Sequence, residues 1–285
     1  EELTASDYSA MLDELVGLGE VKKQVKKIAA FARMKQDISK MGGKEIPVVL
    51  NMEFAGNPGT AKTTVARILA GIFHELGLLS DGEIVEVGRA DLVAKYIGQT
   101  AGLVKEAFQK ARGRILFIDE AYSLVDDRAG SFGDEAINTI VQEMENNRED
   151  TIVIFAGYPD KMESFFSRNP GLRSRVPFRI RFEDYSADEM AQIAEQEARK
   201  RGFTIEPRAK DKVESLCRAA KKYPDMGNGR FCRNLVENAI LEYASRVYGS
   251  GAEKPVGDFC LTEEDFVLSD TARKSKAARP IGFVA

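Results

Sequence analysis

The chain of 285 residues has a single histidine, His74, and three widely spaced cysteines, Cys217, Cys232 and Cys260. An odd cysteine count with no CxxC spacing argues against a disulfide framework and against a zinc site, and fits a reducing compartment. A Ser-His-Asp or Cys-His relay would have to run through His74, which falls inside a helical pattern. Such a base needs a third group to orient it, and His74 is read as a helix-surface or packing residue. Long apolar runs are also missing. No window approaches the ~20 uninterrupted apolar residues of a membrane span, and no basic-then-apolar segment reads as a secretion signal. A cytoplasmic protein without a membrane partner is expected. The chain opens on Glu1, which leaves flanking domains open. An excess of positive charge is lacking too. The 41 Lys and Arg against 45 Asp and Glu give a formal charge of −4, so the broad basic footprint of a nucleic-acid binder is absent.

What is present has the balance of a globular protein, 44% hydrophobic and 30% charged, in a chain long enough for two domains with separate cores. Residues Glu1 to Ser9 are polar and expected to be loosely held. From Glu20 to Met34 the set Val21, Val25, Ile28 and Ala32 follows helical spacing, with Lys22, Lys23, Lys26 and Lys27 read as a solvated face. Strands are then expected at Val48–Phe54, Ile84–Val87, Arg114–Ile118 and Thr151–Ala156, separated by helical patterns. That alternation predicts a parallel sheet covered on both faces. The alternating Phe178–Phe182 suits a fifth, half-exposed strand. Near Tyr185 the pattern turns all-helical. Ser186 to Glu189 is a capping box, Gly202 closes that helix, Pro207 opens the next, a third runs from about Gly229 to Tyr248, and Thr262 to Asp265 caps a short last one. The expected organisation is an α/β domain over residues 1–185, a small helical domain over 186–270, and a basic, flexible tail over 271–285.

The chemistry concentrates in three places. Gly56-Asn57-Pro58-Gly59-Thr60-Ala61-Lys62-Thr63, followed by Thr64, stands between a strand and a helix, the context a phosphate-binding loop requires. Backbone N–H groups and the helix N-terminus make an anion site. Lys62 would reach the β- and γ-phosphates of ATP, and the Thr63 hydroxyl would ligate Mg²⁺. Ala61 stands where the usual pattern has glycine. With helical angles the methyl costs little; with positive φ it costs on the order of 1 kcal/mol. Ile115-Leu116-Phe117-Ile118-Asp119-Glu120 delivers two acids from the C-terminal end of a buried strand, where parallel sheets bind ligands. Asp119 would hold Mg²⁺ through water and Glu120 would polarise the attacking water. Gly171-Leu172-Arg173-Ser174-Arg175 lies in a loop before the fifth strand. Neither arginine would easily reach its own nucleotide, so Arg175 is read as a finger for a neighbouring subunit, with Arg173 as its helper. In the helical domain, Arg230 and, one turn later, Arg233 could reach the γ-phosphate and couple domain angle to nucleotide state.

With these motifs in place, the chain resembles an AAA+ ATPase and, within that group, the CbxX/CfqX family. The resemblance runs from Leu15-Val16-Gly17-Leu18 to the terminal Arg279-Pro280-Ile281-Gly282-Phe283. It rests on the loop, on Ala156-Gly157-Tyr158, on Asn169 to Arg175 and on Gly227-Asn228-Gly229-Arg230. It implies a P-loop α/β fold with a helical lid and a homo-oligomeric ring, expected as a hexamer, that acts on a protein client. It further implies that Val16, Gly17 and Leu18 border adenine and that Tyr158 takes the sensor-1 position, where many AAA+ proteins carry Asn. Lys95-Tyr96-Ile97-Gly98 matches the first pore loop, which grips substrate in the ring's channel; an aromatic beside a small residue gives sequence-tolerant contact. Asp126 to Asp134, rich in charge and glycine, would be a second channel-facing loop. Two rival classes stay open: a nucleotide-controlled scaffold with little turnover, and a nucleic-acid motor, which the acidic balance disfavours.

Overall fold

The structure is a computed structural model and describes residues 3–42, 49–94, 96, 98–125, 132–222, 227–249 and 259–267. Its contacts divide the chain into two compact units, with the division between Asp184 and Tyr185.

The first unit contains α1 (Ala5–Glu14), α2 (Gly19–Lys40), β1 (Met52–Gly56), α3 (Lys62–Glu75), β2 (Ile84–Val87), α4 (Arg89–Leu92) and α5 (Thr100–Lys110). There follow β3 (Ile115–Ile118), a 3-10 turn (Ala121–Leu124), α6 (Phe132–Asn146), β4 (Ile152–Gly157), α7 (Pro159–Arg168), α8 (Pro170–Arg173) and β5 (Phe178–Phe182). The strands form the expected five-stranded parallel sheet, in the order β2-β3-β4-β1-β5. Every residue of β3 and β4 is buried, as strands with both faces covered must be. On β5, Ile180 and Phe182 are buried while Arg179 and Arg181 are exposed, matching its alternating sequence.

Two expectations for the N-terminal region are corrected. Of the residues read as loosely held, Ala5 to Ser9 belong to α1, with Thr4 as its N-cap. Its capping box is complete: Thr4 Oγ1 accepts from the Asp7 N–H and Asp7 Oδ2 accepts from the Thr4 N–H. Ten residues would be marginal as an isolated helix, so packing holds it. Leu12 is buried, and the Tyr8 ring lies so close to Gly71 of α3 that a Cβ there would come within 2.2 Å. The lysine run is only partly a solvated face. Lys22 donates to the carbonyls of Asp13 and Leu15, and Lys26 pairs with Asp13 at 2.7 Å. These contacts clamp the turn between α1 and α2.

The second unit contains α9 (Ala187–Lys200), β6 (Thr204–Ile205), α10 (Pro207–Ala220), α11 (Asn228–Tyr248), β7 (Cys260–Leu261) and a 3-10 turn (Glu263–Asp265). Ser186 and Glu189 form the expected capping box, Pro207 opens α10, and Gly202 follows α9 with φ +79°. The short parallel pairing of β6 with β7 was not anticipated. Three aromatic rings, Phe203, Tyr243 and Phe259, pack beside it. All three cysteines are free. Among the described residues no helix is long and apolar enough to cross a membrane. The tail over 271–285 lies outside the described residues.

Candidate functional site

The phosphate-type loop leaves β1 at Gly56, where nothing larger fits. A Cβ there would come within 2.6 Å of Phe182 Cβ and 2.7 Å of the Phe182 carbonyl on β5. The loop is braced from within. Buried Thr60 donates through Oγ1 to the Asn57 carbonyl at 2.7 Å, and Asn57 donates through Nδ2 to the Asp184 carboxylate at 3.0 and 2.9 Å. Gly59 has φ +76°. Ala61 has φ 67° and ψ 22°, a left-handed conformation immediately before α3, so the costly alternative for this position is the one adopted. No side chain caps that helix end, and its first N–H groups point out of the helix toward the loop. Lys62 donates from Nζ to the Gly56 and Asn57 carbonyls, both at 2.8 Å. Thr63 is half-buried, and Thr64 and the Asp119–Glu120 pair are exposed.

β3 ends beside the same edge. Its register puts Ile118 level with Phe155 on β4, and Phe155 is level with Glu53 on β1. β3 therefore lies two strand spacings from β1, roughly 10 Å across, and its last residue is level with a point three residues short of Gly56; Asp119 and Glu120 follow at that C-terminal end. The Asp119 N–H donates to the Val87 carbonyl at 2.9 Å, and the Glu120 N–H donates to Asp119 Oδ1 at 2.9 Å. Glu120 is left-handed, with φ 48° and ψ 44°.

Tyr158 follows β4 at this edge, half-buried. Its ring centroid is 6.0 Å from that of Tyr122, a residue that sequence reasoning missed. Lys161 Nζ lies 4.6 Å from the Tyr122 ring centre and 5.1 Å from that of Tyr158. Tyr122 lies against Gly157, where a Cβ would meet the ring at 2.8 Å. Burial, with the nearby Glu120 carboxylate second, pushes the Tyr122 hydroxyl well above the ordinary tyrosine range. It stays neutral, near the Glu120 carboxylate. The available signal was its place directly after Asp119-Glu120-Ala121.

Among the described residues, the non-glycine positions with positive φ are Leu18, Ala61, Glu120 and Asn228. Each lies in one of the motifs assigned from sequence to the nucleotide. Such conformations cost of order 1–3 kcal/mol and gather at functional sites. Leu18 is buried and begins α2 after Gly17, with Val16 half-buried beside them.

Arg173 and Arg175 lie elsewhere. They precede β5 and so flank the N-terminal edge of the sheet. The Arg175 carbonyl accepts from Asn51 just before β1 at 3.2 Å, whereas the loop begins at the other end of that strand. Five residues of strand separate the two edges, about 17 Å. The Arg175 guanidinium is part-exposed and opens on a cleft of about 500 Å³ with Lys35, Glu145 and Arg148 among its lining residues. Arg173 is not positioned as a second free finger. It pairs with buried Glu53 at 3.4 Å and with Glu163 at 3.2 Å. In the second unit, Arg230 and Arg233 are exposed on the first turns of α11, with Arg233 3.9 Å from Glu197. Tyr96 is 71% exposed, and Gly98 beside it has φ +81°. Lys95 and Ile97, like residues 126–131, lie outside the described residues.

Residues 52–184 match the ATPase family associated with various cellular activities (AAA), and residues 186–277 match the AAA lid domain. The chain is 42% identical to Protein CbbX of Cereibacter sphaeroides over 90% of this chain and 84% of the relative. It is 41% identical to Stage V sporulation protein K of Bacillus subtilis (strain 168), over 83% and 74% respectively. It is 39% identical to the chloroplastic ribulose bisphosphate carboxylase/oxygenase activase of Cyanidioschyzon merolae, over 89% and 85%. Among solved structures, the FIGL-1 AAA domain in complex with ADP superposes with a TM-score of 0.62 at 18% identity, covering 94% of this chain and 84% of that one. That likeness speaks for the fold alone. The sequence matches and the loop-and-acid edge of the sheet agree: this chain belongs to the AAA+ ATPases, in the CbxX/CfqX family, and hydrolyses ATP.

Proposed function

We propose that the chain assembles into a ring, a hexamer, in which ATP is hydrolysed between adjacent protomers to pull on a protein client in the cytoplasm. The observation that carries this reading is the division of the machinery between two edges of one sheet. The loop and the acids occupy the C-terminal edge, while Arg175 stands about 17 Å away at the N-terminal edge. A guanidinium so placed is out of reach of its own nucleotide and suits a neighbour's.

In this reading Gly56 to Thr64 wrap the phosphates and Lys62 turns from its loop carbonyls to the β- and γ-phosphates. Among the described residues there is no group of three His, Cys, Asp or Glu side chains that could cage a metal. The donor set instead suits Mg²⁺, which keeps several waters and takes one or two protein oxygens plus phosphate: the Thr63 hydroxyl directly and Asp119 through water. When bound, Mg²⁺ would neutralise charge developing on the phosphate oxygens. Glu120 takes the proton of the attacking water, and Tyr158 faces the same edge as a hydrogen-bonding sensor. Arg175 of the adjoining protomer stabilises charge on the transferred phosphoryl group. Val16, Gly17 and Leu18 border adenine, and Arg230 and Arg233 report the γ-phosphate; these assignments rest on the sequence pattern. Tyr96, exposed beside Gly98, supplies the client contact with its loop neighbours.

Mixing two inactive variants tests the shared site. Glu120→Gln should bind ATP without turning it over, and Arg175→Ala should also be slow. Combined in one preparation, they should regain part of the activity, because some interfaces then pair an intact Glu120 with an intact Arg175. Absence of recovery at every ratio, or a monomer in the presence of ATP by native mass spectrometry, would overturn the ring reading.

A further inference from the structure

We infer that Asn51 and Glu53, two buried polar side chains at and just before the start of β1, are positioning residues for the Arg175 finger. This rests on the proposed in-trans role of Arg175. β1 lies between β4 and β5, and its other early residues, Met52 and Phe54, are fully buried. Asn51 is 3% exposed and Glu53 is 5% exposed. A carboxamide and a carboxylate in that setting cost free energy unless they are fully used.

Both are used on the same short segment. Asn51 accepts through Oδ1 from the Val153 N–H of β4 at 2.8 Å and donates through Nδ2 to the Arg175 carbonyl at 3.2 Å. Glu53 Oε2 lies 3.4 Å from the Arg173 guanidinium and 3.7 Å from that of Arg179. Arg173 also packs 5.3 Å from the centre of the Phe166 ring. β1 thus grips the finger segment at residue 173 by its side chain and at residue 175 by its backbone. α8 is one turn long and has only Leu172 buried, so these grips fix where the segment sits.

The Arg175 side chain itself has few holds. One terminal nitrogen donates to the Gly171 carbonyl at 3.0 Å, while Nε makes no hydrogen bond and faces Glu145 at 3.4 Å. Its aim therefore follows from the backbone that Asn51 and Glu53 hold. The same strand ends at Gly56 in the phosphate loop. A protomer's own loop and the finger it lends are joined through one run of strand.

The test uses the full chain and ATP. Asn51→Leu removes both hydrogen bonds, and Glu53→Gln removes the charge that holds Arg173 while keeping its shape. A misplacement of about 1 Å can cost on the order of a hundredfold in rate, so both variants should lose most of kcat while retaining ATP affinity by calorimetry. The decisive readout is complementation. Mixed with Glu120→Gln, each variant should regain turnover, because the partner lends an intact finger. Mixed with Arg175→Ala, neither should, because every interface then lacks a well-placed finger. Should Asn51→Leu fail to bind ATP, Glu53→Gln carries the test. Wild-type turnover of Glu53→Gln, or recovery with Arg175→Ala, overturns the inference. Failure of Arg175→Ala and Glu120→Gln to complement each other overturns the in-trans reading instead.

Discussion

Lys62 donates to the carbonyl oxygens of Gly56 and Asn57, 2.8 Å from each, so its ammonium lies across the loop that precedes it. Phosphate oxygens would replace those carbonyls as stronger, charged acceptors. A hydrogen bond to a charged group is worth about 1.5–3 kcal/mol, and each 1.4 kcal/mol is about tenfold in affinity. Lys62→Ala should therefore weaken ATP binding by about 10- to 100-fold in calorimetry. ADP should lose less, since the lysine would also reach the γ-phosphate of ATP. Equal affinity of wild type and variant for ATP would remove Lys62 from the site.

The left-handed Ala61 gives a prediction of opposite sign. Its φ of 67° carries a steric cost of roughly 1–2 kcal/mol for an L-residue, while glycine adds about 0.4–1 kcal/mol of unfolded-chain entropy. Ala61→Gly should be neutral to stabilising, by up to about 1.5 kcal/mol, which corresponds to a melting-temperature rise of up to about 3–6 °C in a domain of this size. ATP binding should persist. A marked fall in melting temperature would mean that the methyl group makes packing contacts outweighing the strain.

These two residues show why the loop-and-acid edge was legible in the sequence. Glycines, a lysine and paired acids have few reasons to stand together between a strand and a helix, and β2 and β5 were visible because their apolar residues alternate or cluster. Other features depend on partners far along the chain. α1 is too short to declare itself without Gly71 and its neighbours to pack on. β6 and β7 have two residues each, which is no pattern at all. Asn51 and Glu53 sit in a run read as a buried strand, and only the structure pairs them with Arg175 and Arg173. The sequence pattern reads Arg175 as the finger and Arg173 as its helper; only the structure shows that Arg173 is held by the buried carboxylate of Glu53.

Tyr122 adds a residue to the end of the sheet proposed to activate water. Its hydroxyl lies near the Glu120 carboxylate, and its ring lies against Gly157 and beneath Lys161 Nζ. Tyr122→Phe should keep ATP affinity and lower kcat by about fivefold, the loss expected when a hydroxyl that donates one hydrogen bond of about 1 kcal/mol during turnover is removed. Because burial first, then Glu120, raises the Tyr122 pKa, its ionisation contributes no break to the pH–rate profile in the ordinary tyrosine range. Wild type and variant should have profiles of the same alkaline shape. A break near pH 10 present only in the wild type would contradict this placement.

Glu53 and Asp265 predict opposite dependences of stability on pH. Burial raises the Glu53 pKa above its ordinary 4.5, with Arg173 and then Arg179 offsetting part of the effect. The folded state thus holds this proton more tightly than the unfolded chain. The stabilisation it brings is fully present below the unfolded pKa and is lost as pH rises through the folded one. For Asp265, burial also acts to raise the pKa, but hydrogen bonds from Arg246 and Thr262 outweigh it and the pKa is lowered from 3.8. Its stabilisation is present above that value and is lost as pH falls through the lower, folded pKa. Urea unfolding between pH 3 and 8 (chosen to bracket these ordinary carboxylate values) can separate the two. The stability of wild type minus Glu53→Gln should decline with rising pH above about 4.5 and then level off. The stability of wild type minus Asp265→Asn should decline only toward the acid end. Asp265→Asn should also be the more damaging at neutral pH, because it strips a fully buried partner from Arg246, which holds it at 2.9 and 2.7 Å. Parallel difference curves for the two variants would show that Glu53 is not held against its burial cost, and the reason for its two guanidinium partners would have to be sought elsewhere.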